Sequence, residues 1–282
     1  MQVQTIKRTS SNDEVHKEMK IGIVGSEGVV GRACTAGFTR LGYNVIKHDI
    51  SLMTKLLSVL EAEIVFICVP TPSDSTGKCD TSIVESVVAE LYSLNYTGVV
   101  AIKSTVEPGT TRRLIEQYDD RIVFVPEFLK ERSAEYDFVF DHRLLLVGTD
   151  NVNYYYLVQR SHGNLPKDIM RVSPTEAELM KYYHNTFNAT RIVFANVMYE
   201  IAEKMGVSYD KIKEAFLKNN DMPDEYLDVK PELRGYGGAC LPKDVLAMQR
   251  ACEQLGLPHH LFEAIDKENR LFETTVFDGM RK

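Results

Sequence analysis

The sequence predicts an α/β chain: a doubly wound sheet on the N-terminal side, followed by a long helix and a small all-α domain. Three observations predict it. Short β-rich runs alternate with helical patterns up to about residue 172, as expected of strands joined by crossover helices. The stretch SPTEAELMKYYHNTFNATRIVFANVMYEIAEKMG at 173–206 has no Pro or Gly between Pro174 and its final Gly206. After it come further helical patterns around a glycine-rich turn at 235–238.

Taken in order, residues 1–19 are polar and lack an apolar signal core, so they read as a mostly disordered tail. KIGIV at 20–24 is the first strand and ends at Gly25, with a helix at 29–41 and a second strand at 44–48. IVFICV at 64–69 is apolar throughout, the mark of a strand covered on both faces. Further strands fall at 99–102, 122–125 and 144–147, and helices near 82–91 and 110–117. The long helix opens on a Ser cap at Ser173 and would span about 45–50 Å at 1.5 Å per residue. The expected division is a tail (1–19), a sheet domain (20–172), and a long helix with a helical domain (173–282).

Composition narrows the function. The 282 residues carry 33 Lys and Arg against 40 Asp and Glu, a net charge of −7, which argues against nucleic acid as the main partner. No apolar run reaches the roughly 18 residues of a membrane span. The five cysteines (Cys34, Cys68, Cys79, Cys240, Cys252) form no CxxC and no paired framework, which suits a reducing, cytoplasmic setting. The seven histidines form no metal-spaced pair apart from adjacent His259 and His260, which read as a surface turn after Pro258, and no metal is expected.

The turn after the first strand reads GSEGVVG, with Gly25, Gly28 and Gly31 around Val29 and Val30. Glycines there let the chain turn sharply and let backbone N–H groups approach a pyrophosphate at a helix N-terminus. Asp49 ends the next strand, where a carboxylate accepts hydrogen bonds from ribose hydroxyls and repels a 2′-phosphate. The pattern is that of a Rossmann-type domain binding NAD in preference to NADP. Glu27 is awkward beside a diphosphate and is expected to point outward.

Five later segments carry more chemistry: ICVPTPSDSTGKCDTSIV (67–84), KSTVEPGTT (103–111), VPEFLKERSAEYDF (125–138), EAELMKYYHNTFNATRIVFANVM (176–198) and GYGGACLPKD (235–244). In order and approximate spacing they resemble the UDP-glucose/GDP-mannose dehydrogenase family, from Lys20 almost to the C-terminus. That resemblance implies an NAD-dependent oxidation of a nucleotide-sugar primary alcohol to a carboxylate, in two hydride transfers. Cys240 would be the nucleophile, attacking the intermediate aldehyde to give a thiohemiacetal and then a thioester. Cys34 and Cys68, in a helix and a strand, read instead as inert buried thiols. Lys181 and Asn185, four apart and on one helix face, match the pair that stabilises the developing oxyanion. Glu127 matches the glutamate that activates water for thioester hydrolysis, Thr105 a threonine that positions that water, and Asp244 an aspartate that assists proton transfer. Val69, Pro70, Thr71, Ser104 and Thr105 match positions on the nicotinamide side of the cofactor, and Glu131 a second glutamate near it.

There are departures. Family members continue into a third domain that completes the nucleotide-sugar site, whereas this chain stops at Lys282 and is expected to lack it. The family's FLxEG element reads FLKER here, with Arg132 in place of Gly. Two alternatives stay open: a single-step hydroxyacid-type dehydrogenase, which needs no cysteine, and a truncated, non-catalytic cofactor-binding partner. A homodimer through the long helix is expected, because a rod of that length outreaches a small domain and its apolar residues need a second covering surface. The resembling family dimerises in that way.

Overall fold

A computed structural model describes residues 19–74, 77–238 and 240–272. The expected tail at 1–18 lies outside the described residues. Met19, assigned to that tail, is 2% exposed and packs in the core, and its carbonyl accepts from Asn44 N–H at 3.3 Å, so it belongs to the sheet domain and not to the tail.

Seven strands form one sheet in the order β2-β1-β3-β4-β5-β6-β7. They are β1 (Lys20–Val24), β2 (Asn44–His48), β3 (Ile64–Ile67), β4 (Val99–Ile102), β5 (Ile122–Phe124), β6 (Leu144–Gly148) and β7 (Asp168–Val172). All neighbours pair in parallel except β5 and β6. Helices α1 (Val29–Arg40), α2 (Ser82–Ser93), α3 (Thr110–Gln117), α4 (Ala134–Phe140) and α5 (Val152–His162) accompany it. The uniform apolarity of β3 has the expected cause. Ile64 and Phe66 enter one core with Phe38 and Phe138, while Val65 and Ile67 enter the other with Val100 and Leu114. Phe38 stacks on Phe66 at 5.0 Å and meets Phe138 edge-on at 5.5 Å.

The long helix α6 runs from Pro174 to Met205, 32 residues, or about 48 Å. Its start is a capping box: Ser173 N–H donates to Glu176 at 2.7 Å and Glu176 N–H to Ser173 Oγ at 3.4 Å, with Pro174 at the first helical position. It stops at Gly206, whose φ of +68° suits glycine, and Val207 N–H returns to the Ala202 carbonyl.

Contacts divide the chain into two compact units. One takes the chain up to Thr71 together with Thr81–Lys181; the other takes Pro72–Asp80 and the chain from Tyr182 on. The division thus falls inside α6, eight residues beyond the change of character at Ser173. The second unit is helical, with α7 (Tyr209–Asn220), α8 (Leu241–Gln254) and α9 (Leu261–Asn269) beside the later turns of α6. Its apolar clusters centre on Val193, Val245 and Ile265, on Ala202, Tyr209 and Leu227, and on Tyr182 with Met248. Its detached piece, Pro72–Asp80, lies against α8: a Cβ added to Gly77 would come within 2.6 Å of Leu246 Cβ.

Candidate active site

In the first unit the sheet reverses its winding at β1, with β2 on one side and β3 on the other, and a ligand crevice forms at the carboxyl ends of such strands. Gly25 follows β1 with φ +82°, and a Cβ there would lie 2.6 Å from the Cys68 carbonyl oxygen. A Cβ on Gly31 would lie 2.0 Å from the Gly25 carbonyl oxygen. Both glycines are therefore demanded by close backbone packing. Gly28 sits at the N-terminus of α1 with no side-chain cap, leaving that end's N–H groups for an anion. Val29 and Val30 pack on the core beneath it.

Asp49 follows β2. One carboxylate oxygen accepts from Glu27 N–H at 3.0 Å; the other accepts from Ser51 N–H at 2.9 Å and Ser51 Oγ at 2.7 Å. Burial pushes this carboxyl up, but the Ser51 and Glu27 donors outweigh it and hold it below the ordinary value. Glu27 is turned onto Lys47 at 2.6 Å. These residues fit a dinucleotide: an open helix end for the pyrophosphate, an oriented carboxylate for the ribose, and glycines where side chains would intrude. Ser104 Oγ donates to the Val69 carbonyl at 2.7 Å, tying the end of β4 to that of β3. Pro70 is exposed, Thr71 and Thr105 are half-buried, and Glu131 stands exposed in the turn Glu131–Ser133.

Glu127, after β5, is 5% exposed and its Oε1 pairs with the ammonium of Lys103, itself 3% exposed. Lys181 Nζ donates to the Glu127 main-chain carbonyl at 2.6 Å. Glu127 and Lys181 are thus brought together, joined by Lys103, which the sequence reading passed over. Its signal was a lysine immediately after the wholly apolar strand VVAI.

In the second unit, Asn185 Nδ2 donates to Asp244 Oδ2 at 2.5 Å and Lys243 Nζ lies 2.9 Å from Asp244 Oδ1. Asp244 is fully buried. Burial pushes the Lys243 ammonium down, but Asp244 and the nearby Cys79 outweigh it and hold it above the ordinary value. Cys240 is exposed at the N-cap of α8, and the Asp244 N–H closes the first turn onto its carbonyl at 3.0 Å. The other four cysteines are buried. A helix N-terminus with Lys243 and Asp244 in its first turn, and Asn185 of α6 bonded to that aspartate, is equipped to stabilise negative charge.

A strand–glycine turn–helix unit of this kind, joined to a helical unit with an exposed cysteine, defines a dinucleotide-binding dehydrogenase fold. The NAD binding domain of the UDP-glucose/GDP-mannose dehydrogenase family matches residues 52–160, and the central domain of that family matches residues 175–271. The chain belongs to this family. It is 29% identical over 224 residues to UDP-glucose 6-dehydrogenase of Rickettsia conorii, covering 77% of this chain and 51% of that one. The GDP-mannose 6-dehydrogenase of Pseudomonas aeruginosa is 28% identical, over 78% of this chain and 54% of its own length. The structure of a UDP-glucose dehydrogenase from Pyrobaculum islandicum superposes with a TM-score of 0.80 at 25% identity, over 95% of this chain and 70% of that one. The chain spans about half the length of the curated relatives it matches. No described helix is long and apolar enough to cross a membrane.

Proposed function

We propose that the chain acts in the NAD-dependent oxidation of a nucleotide-sugar primary alcohol to a carboxylate, with Cys240 carrying a covalent intermediate. The exposed thiol at the α8 N-cap, beside the Asn185–Asp244–Lys243 cluster, is the observation that supports it most directly. Two NAD molecules, bound in succession, would each take up one hydride. The Gly25, Gly28 and Gly31 turn would hold the pyrophosphate of each and Asp49 its ribose. The residues near Val69, Pro70, Thr71, Ser104 and Glu131 would flank its nicotinamide half.

Oxidation of the alcohol gives an aldehyde, losing the hydroxyl proton. Cys240 Sγ then adds to the aldehyde carbon, and Lys181 and Asn185, one turn apart on α6, would stabilise the oxygen as it gains charge. Loss of the second hydride converts the thiohemiacetal to a thioester. Water, held by Thr105 and activated by Glu127, adds to the thioester carbon; the carboxylate leaves and the thiol is restored, with Asp244 assisting proton transfer. The second copy needed for a dimer has a surface to meet. Leu179, Tyr183, Phe187, Phe194, Ile201 and Met205 are all exposed and recur along one stripe of α6.

The test is NAD reduction with UDP-glucose and GDP-mannose, the wild-type chain beside Cys240→Ala. Acid formation by the wild type and its loss in the variant are expected. Undiminished acid formation by Cys240→Ala would remove the nucleophile role, and a product halted at the aldehyde in the wild type would favour the single-step alternative.

A further inference from the structure

We propose that Lys103 is the positioning residue for Glu127: its buried ammonium holds the carboxylate turned inward, and thereby fixes the main-chain carbonyl on which Lys181 rests. The proposal builds on the roles given to Glu127 and Lys181 above.

Lys103 follows β4, and its side chain is wholly inside the first unit. The ammonium lies 5.2 Å from the Phe66 ring centroid and 5.6 Å from that of Phe138. Cys34 of α1 and Cys68 after β3 face the pair, as do His142 after α4 and His162 of α5. Against this apolar, largely neutral lining stand two opposite charges, Lys103 and Glu127.

Stability does not account for them. Removing two charges from water costs several kcal/mol per ion, and an apolar pair of similar volume in the same place is often as stable or more so. What an apolar pair cannot do is hold a carboxylate in one orientation through a charge-assisted hydrogen bond. Lys103 engages the carboxylate through Oε1. Glu127 is also gripped at its backbone, since Lys181 donates to its carbonyl. One residue is therefore held by two lysines, one through its side chain and one through its main chain. A shift of the carboxylate would carry the Lys181 seat with it.

The experiment uses the full chain as Lys103→Met, Lys103→Arg, Glu127→Gln and the double variant Lys103→Met/Glu127→Gln. With UDP-glucose or GDP-mannose, Lys103→Met should lose about 100-fold in kcat for acid formation, with KM within about twofold, and should accumulate the Cys240 thioester as Glu127→Gln does. Lys103→Arg, which keeps the charge, should recover at least about a tenth of the rate. Independently of turnover, carboxyl ¹³C NMR, with the Glu127 signal assigned by its absence in Glu127→Gln, should show that signal displaced in Lys103→Met relative to wild type. If Lys103→Met folds poorly, the double variant should regain most of the lost stability, because it leaves no unpaired charge. An unchanged kcat, an unchanged carboxyl signal, or a double variant as unstable as the single one would overturn the proposal. If the wild type oxidises neither sugar, the functional reading falls, and the carboxyl signal alone decides for or against Lys103.

Discussion

At Asp49 the carboxylate is oriented before any ligand arrives, by donors from Glu27 and Ser51. A 2′-phosphate there would meet a fixed negative charge, so NAD should bind at least about tenfold more tightly than NADP. Asp49→Ser should weaken NAD and narrow the gap; calorimetric titration with both cofactors checks this, and equal affinities in the wild type would refute the role. Cys240 offers a second test at this scale. Four of the five thiols are buried, so a thiol reagent applied to the native chain should consume about one equivalent and leave it unable to form acid. Fast uptake of two or more equivalents would contradict the burial of the others.

Among the elements, α6 and α3 are tied by one side chain. Glu178 of α6 accepts from Gly109 N–H at 2.5 Å and Thr111 N–H at 2.7 Å, capping α3 from another helix where no side chain of its own does so. Glu178→Ala should cost about 1–3 kcal/mol by leaving those buried donors unpaired, whereas Ser173→Ala, at an exposed box, should cost about 1 kcal/mol. Urea unfolding separates the two; a smaller loss at Glu178 would mean water replaces it. The exposed stripe on α6 predicts a dimer, so light scattering at micromolar concentration should give twice 32.0 kDa and Phe194→Asp should halve it. Elements with strong periodicity were legible: β1 to β4, α2, α3 and the whole of α6 lie within a residue or two of expectation. β7 was not, because DIMRV is an edge strand with only partial burial and so lacks the apolar run that marked β3. The antiparallel join of β5 to β6, a matter of pairing rather than of local pattern, left no sign in the sequence either. Lys103 escaped because its partner is 24 residues away and only folding reveals the contact.

The whole molecule carries an acid-sensitive centre in its first unit. Burial pushes the His162 and His142 imidazoles below the ordinary 6.5, with Lys103 adding to both shifts and Glu127 opposing that of His142. Both are neutral when folded, while the unfolded chain binds their protons from about pH 6.5 downward. Their stabilisation is therefore fully present above that value and is lost as the pH falls through the depressed folded values. The melting temperature should decline below pH 6.5, and His162→Phe should flatten that decline; an identical slope would place the sensitivity elsewhere. A different consequence follows from the path of the chain. Pro72–Asp80 belongs to the helical unit although it is encoded between strands of the sheet unit. No single cut in the gene can then yield both halves intact. A product beginning at Tyr182 would lack the strand of chain that lies on Leu246 and should be recovered insoluble. Adding 72–80 back as a separate peptide or a fused leader should rescue it. Exchanging the helical unit for another would likewise have to replace two stretches of chain at once.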